Sequence, residues 1–286
     1  MTYHCLRCSL PRDFEDELAT LLDSWPVLGS EVRAGPRDWI SVDIFLTGEH
    51  RHAADRLSVI LAANGARDIR LELVEEQDWL AGYRETVTSF QVGDCWWIDP
   101  HPDRPTPSPG GLFRLAIEPR MAFGTGSHES TRLILRSFEG LEVAGSRVLD
   151  VGTGSGILAL AADRLNARRI VAVDIDPQAI WVARQIAAQQ EWKTEVRFVL
   201  GPVECLAGLS YDLIVCNMIS ANLFPLLPEM TRLLAPGGRA VFSGLLTTEA
   251  ARAVAAIAEV GMRIEKEHAL GEWVGFTVLA AGGKAG

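Results

Sequence analysis

Apolar and polar positions alternate in two different ways along this chain, and the change divides it. In the first 75 residues short strand-like and helix-like stretches follow one another. YHCLRCSL reads as a strand, and DFEDELATLLDSW as an amphipathic helix with Leu18, Leu21 and Leu22 on one face. VLGSEVRAG and WISVDIFL read as two strands around a turn at Gly35-Pro36. HRHAADRLSVILAANGA predicts a second helix stopped by Gly65, and DIRLELVEE a closing strand. The order β-α-β-β-α-β is that of a split-βαβ, ferredoxin-like α+β domain over residues 1–75.

From Gly145 onward RVLDVG, RIVAVDI, VRFVLG, YDLIVCNM and RAVFSGL form near-continuous, β-branched apolar runs. Helical stretches such as ILALAADRLNA, PQAIWVARQIAAQQ and TTEAARAVAAIAEVG lie between most of them. Strands apolar on both faces, with helices between, predict a parallel sheet covered on both sides: a doubly wound, Rossmann-like α/β domain over residues 118–286. RIEKEHAL and EWVGFTVLA read as a terminal hairpin. Residues 76–117 are expected to connect the domains. QDWLAGYRETV reads as a short helix, GDCWWIDP as a strand, and HPDRPTPSPGG, with four prolines in eleven residues, as a loop.

Composition narrows the functional classes. The 37 acidic and 27 basic residues give a net charge of −10, which argues against direct nucleic-acid binding, a contact dominated by Lys and Arg on phosphates. Residues 1–75 hold 13 acids against 8 arginines and no lysine, and no RNP1-like aromatic string, so RNA binding by that domain is not expected either. No apolar run approaches the roughly 18 residues of a membrane span, and the first residues lack the basic and apolar regions of a secretory signal. Five scattered cysteines do not form a disulfide framework, and a reducing cytoplasm is the expected location. Cys5 and Cys8 have the spacing of half a zinc site, but nothing completes it and no metal is expected. Of Trp96 and Trp97, at least one must face a core, because neighbouring residues of a strand point to opposite faces.

The sharpest chemical signal is RVLDVGTGSGILALAA. A strand ends at Asp150, and Gly152, Gly154 and Gly156 follow before a helix begins. Glycines permit a tight turn and let a ligand approach the backbone at the carboxyl edge of the first strand. A dinucleotide fingerprint would need glycine at position 157, which is Ile157. The observed D-x-G-x-G-x-G suits a ligand without a pyrophosphate, S-adenosylmethionine, with Asp150 facing its cationic methionine end directly or through water. The bland alternative is a strand-helix turn with incidental glycines. Asp174 ends the next strand, where a carboxylate accepts hydrogen bonds from ribose hydroxyls; Asp176, preceding Pro177, is better placed to cap a helix.

Upstream stands EPRMAFGTGSHEST. With Phe123, Gly124, Thr125, Gly126, His128 and Thr131 it resembles the F-G-T-G-x-H-x-x-T segment of the PrmA family, the methyltransferases of ribosomal large-subunit protein eleven. VDIDPQAI, the Asn217 of VCNMIS, and the DW and W-I-x-P spacing of residues 77–100 carry the same resemblance, over roughly residues 76–280. The fourth-strand motif departs from the commoner N-I-L through Met218 and Ile219 but keeps the asparagine. The resemblance implies that Thr131, Gly152, Asp174 and Asn217 contact S-adenosylmethionine. Asp150, Gly154 and Phe123 are further candidates, Phe123 packing on the cofactor, on the entering side chain, or simply in the core. The implied substrate is ribosomal large-subunit protein eleven, at lysine and amino-terminal amines. Alternatives are a lysine methyltransferase of another protein, a small-molecule amine methyltransferase, or a cofactor-binding scaffold without activity.

Methyl transfer needs an amine with a free lone pair, and a lysine of reference pKa near 10.4 is neutral in only about one case in a thousand at pH 7. Asn217 sits just after the fourth strand, where its oxygens could accept from the amine and aim its lone pair; the alternative is a cap on a helix beginning near Ser220. The N-P-P-aromatic form that favours planar nitrogens is absent. His128 is the one histidine near a motif, and either accepts the proton or braces the Gly-Thr-Gly loop.

Overall fold

The computed structural model describes residues 2–22, 25–36, 38–47, 51–75, 86–119 and 124–280. The chain divides into two compact units, Met1–Trp79 and Leu80–Gly286.

The first unit runs β1 (Thr2–Pro11), α1 (Glu15–Leu22), β2 (Val27–Ala34), β3 (Trp39–Thr47), α2 (Arg51–Ala63) and β4 (Arg67–Glu75). Its four strands lie in the order β2-β3-β1-β4, each antiparallel to its neighbour. Alternate residues explain the layering. Leu6, Cys8 and Leu10 of β1 and Ile40, Val42, Ile44 and Leu46 of β3 pack with Leu18 and Leu22 of α1 and Ala54, Leu57 and Leu61 of α2. Helix α2 ends where Gly65 takes φ +85°, a left-handed conformation that costs glycine nothing. On the other face, Asp43 of β3 is buried between Arg33 of β2 (3.2 Å) and Arg7 of β1 (3.5 Å), which also pair with Glu31 and Glu72.

Residues 90–116, expected to be a connection, are built into the second unit. They form a three-stranded sheet in the order β5-β6-β7: β5 (Phe90–Val92), β6 (Trp96–Asp99) and β7 (Phe113–Ala116). The physical reason is apolar burial: Val92, Trp96, Ile98 and Leu115 share one core with Ile134, Leu135 and Phe138 of α3 (Glu129–Phe138). Trp96 is fully buried and donates its indole N–H to the Leu135 carbonyl at 2.7 Å. The proline-rich loop is tied down by Asp99, which accepts from Thr106 N (3.0 Å) and from the Arg114 guanidinium (2.8 Å). The helix expected over residues 77–87 falls almost wholly outside the described residues.

The main sheet has seven strands in the order β10-β9-β8-β11-β12-β14-β13. They are β8 (Arg147–Val151), β9 (Arg169–Asp174), β10 (Val196–Leu200), β11 (Tyr211–Asn217), β12 (Leu234–Leu246), β13 (Arg263–Leu270) and β14 (Trp273–Leu279). All pairings are parallel except those of β14 with β12 and β13. Successive residues of each strand feed two cores. Val148, Ile170, Leu213 and Val215 join α3, α4 (Ile157–Arg164) and α5 (Pro177–Ala188), while Leu149, Val171, Ile214 and Cys216 join α6 (Ser220–Leu233) and α7 (Ala250–Glu259). After β8 the chain lays β9 and β10 on one side, then crosses to lay β11 and β12 on the other. The order reverses between β8 and β11, so their carboxyl ends open a crevice where such sheets take ligands.

Candidate active site

The glycine-rich turn follows β8 at that crevice. Gly152, Gly154 and Gly156 have φ of +69°, +54° and +84°, and Gly156 caps α4 in the left-handed conformation. At Gly152 the left-handed φ is what calls for glycine, because the atom a Cβ would meet is Met218 Cε, the free end of a flexible side chain. The turn is fastened by Asp174 at the end of β9, whose Oδ2 accepts from Gly154 N and Oδ1 from Asp176 N, both at 3.0 Å. Each oxygen keeps a second acceptor direction, so the carboxylate both shapes the turn and retains capacity for a diol. Asp176 caps α5 by accepting from Gln178 N at 2.8 Å.

Asp150 lies beneath the turn and is completely buried. Its Oδ2 accepts from Thr153 Oγ1 at 2.6 Å and Ala159 N at 3.2 Å, while its Oδ1 has no hydrogen-bond partner among the described residues. Burial pushes its carboxyl up to about 7, the bonds from Thr153 and Ala159 pull the other way, and the charge of Asp174 adds to the rise. An orphaned carboxylate oxygen beside a glycine turn is a site awaiting a donor, preferably a cationic one.

The Gly-Thr-Gly segment docks on the same turn. Ser155 Oγ donates to the Gly124 carbonyl at 2.6 Å. Gly124 (φ +105°) lies so close that a Cβ would meet Ser155 Oγ at 2.7 Å. Helix α3 follows, with His128 as its cap: His128 Nδ1 accepts from Ser130 N at 3.3 Å and lies 2.8 Å from Ser130 Oγ. Its ring meets Trp273 edge to face at 4.7 Å. One turn on, Thr131 is buried and its Oγ1 accepts from Asn217 Nδ2 at 3.0 Å, joining positions 86 residues apart. The cap position of α6 is Ile219, with no side-chain cap bond, so Asn217 is not a helix cap.

A pocket of about 290 Å³ extends the crevice past Gly152 and Asp174, lined by Ile175, Pro202, Val203, Met218 and Leu226 among others. It is apolar beside the acid, which suits an adenine ring next to a ribose.

A profile of the family described as ribosomal protein L11 methyltransferase (PrmA) matches residues 31–280. Ribosomal protein L11 methyltransferase of Chromohalobacter salexigens is 37% identical over 210 residues, 73% of this chain and 69% of that one. The Pelobacter propionicus protein of the same name is 38% identical over 209 residues, 71% and 67% of the two chains. Among solved structures, ribosomal protein L11 methylase from Lactobacillus delbrueckii subsp. bulgaricus superimposes with a TM-score of 0.63 at 27% identity, over 68% of this chain and all of that one. The chain belongs to the ribosomal protein L11 methyltransferase family. It is an S-adenosylmethionine-dependent protein methyltransferase.

The residues of this family member fit its cofactor. Asp150 Oδ1 is an acceptor facing no donor, Asp174 can take ribose hydroxyls, and the apolar pocket can hold adenine. When bound, S-adenosylmethionine supplies an electrophilic methyl on a sulfonium. Thr131, Gly152, Gly154, Asp150, Asp174 and Asn217 all belong to the glycine turn, the adjoining strand ends or the helix turn bonded to them. His128 is brought to the same end of α3, but its Nδ1 is engaged as a helix cap, a bracing arrangement rather than that of a proton acceptor at this atom. Phe123 lies outside the described residues. Ile175, Ser155, Met218 and the turn at Pro202-Val203 were not singled out from sequence. Only Met218 carried a signal, as the departure from N-I-L, since the others are ordinary residues whose positions depend on chain crossings.

The described residues hold no cluster of three or more His, Cys, Asp or Glu side chains arranged for a metal ion. Cys5 and Cys8 are buried in the first unit, and burial pushes both thiols up. No helix among the described residues is long and apolar enough to cross a membrane.

Proposed function

We propose that this chain methylates lysine side-chain amines of ribosomal protein L11, with the amino-terminal amine as a second class of acceptor. The observation that carries this reading is the Asn217–Thr131 bond. With its amide nitrogen committed to Thr131, Asn217 presents its oxygen as the acceptor at the end of β11, beside the glycine turn. An acceptor fixed there can bind one amine hydrogen and aim the lone pair along the line of transfer, and such orientation replaces a bimolecular encounter. The names of the relatives supply the protein partner, and that partner implies a cytoplasmic site of action.

The first unit is read as the substrate-gripping domain. The net −5 of residues 1–75 suits a basic protein, and tethering raises the effective concentration of the target amines at the second unit.

Labelled cofactor, purified L11 and the full chain test the reading, with the labelled residues identified by peptide mass. Label on lysine is expected. Asn217→Ala should lower turnover more than cofactor affinity. Turnover indifferent to that change would remove the orienting role, and L11 left unlabelled beside another labelled protein would redirect the substrate assignment.

A further inference from the structure

Helix α3 carries Thr131 and the His128 cap at its start, and a second cavity lies at its other end. This cavity measures about 360 Å³ and shares no lining residue with the pocket at Gly152 and Asp174. Arg136 in the last turn of α3 and Glu142 just beyond it form one wall. Arg239 of β12, Thr277 of β14 and Lys266 and His268 of β13 form the other. Strand alternation puts these four together. Thr277 stands opposite both Val241 and Lys266, and Val241 belongs to the core that α3 covers. Arg239 lies two residues before Val241 and His268 two after Lys266, so each shares the face of its neighbour.

The charges of this lining are unequally matched. Arg239 is committed to Glu265, donating to its two oxygens at 2.6 and 3.3 Å. Arg136 and Lys266 make no ion pair among the described residues, and Glu142 is exposed to water at the mouth. Three permanent cations against two carboxylates leave one net positive charge, in a chain whose net charge is −10. His268 Nε2 lies 3.2 Å from Thr277 Oγ1. Burial, and after it the charge of Lys266, hold the imidazole below its ordinary value and hence neutral. An anion entering the cavity would reverse that balance and favour the protonated ring.

We propose that this cavity binds a tetrahedral dianion of the phosphate class, a free phosphate or a small phosphate ester, held between the Arg136 guanidinium of α3 and the Lys266 ammonium of β13, with His268 as a third donor. A planar fork and a point charge on opposite walls suit an anion whose oxygens point in several directions. A carboxylate, with two oxygens in one plane, bridges such walls less well. The volume leaves room for the organic part of an ester beside Leu141. The site is separate from the cofactor crevice and does not depend on which amine is methylated.

The full chain, saturated with S-adenosylmethionine so that its cofactor crevice is filled, is titrated by calorimetry with inorganic phosphate, glycerol phosphate and succinate. Saturable binding of the two phosphates is expected, with succinate about tenfold weaker or more. Tighter binding of glycerol phosphate identifies an ester as the ligand class, and tighter binding of inorganic phosphate the free anion. Arg136→Gln and Lys266→Gln should each weaken phosphate binding about tenfold, the size of one charge-assisted hydrogen bond, with cofactor affinity within about twofold of wild type. Both side chains are exposed, so both variants should fold; if one does not, the other decides. Sulfate, a dianion at every pH tested, should bind more tightly at pH 6 than at pH 8, and His268→Gln should flatten that dependence. No saturable phosphate binding, equal affinity for succinate, or unchanged affinity in the folded variants overturns the proposal. Sulfate affinity indifferent to pH overturns the part given to His268.

Discussion

Asp43 in the first unit and Asp150 in the second are both acids buried in a β-sheet, yet their surroundings are opposite. Asp43 lies between two arginines on neighbouring strands, Arg7 and Arg33, which in turn pair with Glu72 and Glu31. Asp150 has a hydroxyl and one backbone N–H on one oxygen, no partner among the described residues on the other, and a second carboxylate nearby. A buried charge whose partners come from its own fold belongs to the architecture; one left without a cation is a binding site in waiting. The contrast extends to the glycines. The cofactor turn of the second unit concentrates three left-handed glycines in five residues, whereas Gly65 in the first unit simply ends a helix. The buried acid of one unit is matched by guanidinium groups of its own sheet, and the buried acid of the other keeps an oxygen open for a ligand.

The strongest way to break this comparison is to separate the units. A chain of residues 80–286 should still bind S-adenosylmethionine, because the turn, Asp150 and Asp174 lie within it and its own described residues form two apolar cores. It should lose methylation of L11 by a hundredfold or more at low substrate concentration, in line with the gain that tethering confers. Calorimetry, thermal melting and label transfer on both chains check this. A truncated chain that melts like the full one and methylates L11 at the full rate would leave the first unit without a substrate role.

Next in size is the pH response of Asp150. Its carboxyl stands near 7 in the folded protein against about 3.8 unfolded, so folding favours the protonated form. That stabilisation is complete below about pH 4 and is lost as pH rises through 7, a change of about 4 kcal/mol across the window. In Asp150→Asn, cofactor-free, this pH dependence should flatten, which urea unfolding between pH 5 and 8 would measure. A cationic ligand favours the charged carboxylate, so cofactor binding near pH 7 should release a proton, detectable as a buffer-dependent binding enthalpy. An unaltered slope in the Asn variant would show that the site is already satisfied.

Asp174→Ala should weaken cofactor binding by about 1.5–3 kcal/mol, ten- to a hundredfold, while leaving the sheet folded. Because Asp174 also holds Gly154 N, part of that loss will come from the loosened turn. Equal affinity in a folded variant would exclude the ribose role. The smallest effect is expected in the first unit: Arg33→Gln removes one of the two guanidinium groups on buried Asp43, and with Arg7 still paired to that carboxylate the melting temperature should fall by only a few degrees. A large drop there would mean that the charge ladder, rather than the apolar face, holds that unit together.

Much of the second unit was legible because each signal was local. The strand runs from Arg147 to Asp150 and from Arg169 to Asp174, the glycines at 152, 154 and 156, and the terminal hairpin depend on neighbouring residues, whose spacing survives in any tertiary setting. Helix α3 was hidden: His128 caps it with a ring nitrogen, outside the usual Ser, Thr, Asp and Asn caps. Strands β5 and β7, of three and four residues, carry too short a period to read, and they exist because Trp96 and its neighbours found a core to enter. The roles of Asn217 and His128 were open for the same reason, since each depended on a partner far away in sequence.

The amino-acid sequence alone determined the strand and helix periods, the turn that only glycine can make, and the acids that end the first two strands of the large sheet. Only the tertiary structure decided which groups those elements bring within reach. Asn217 meets Thr131 across 86 residues, Ser155 pins Gly124, and Trp273 returns from the far end of the chain to stand against His128. Backbone conformation is set by residues a few positions apart, whereas a site of side chains is set by the crossing of a sheet, which no local pattern records.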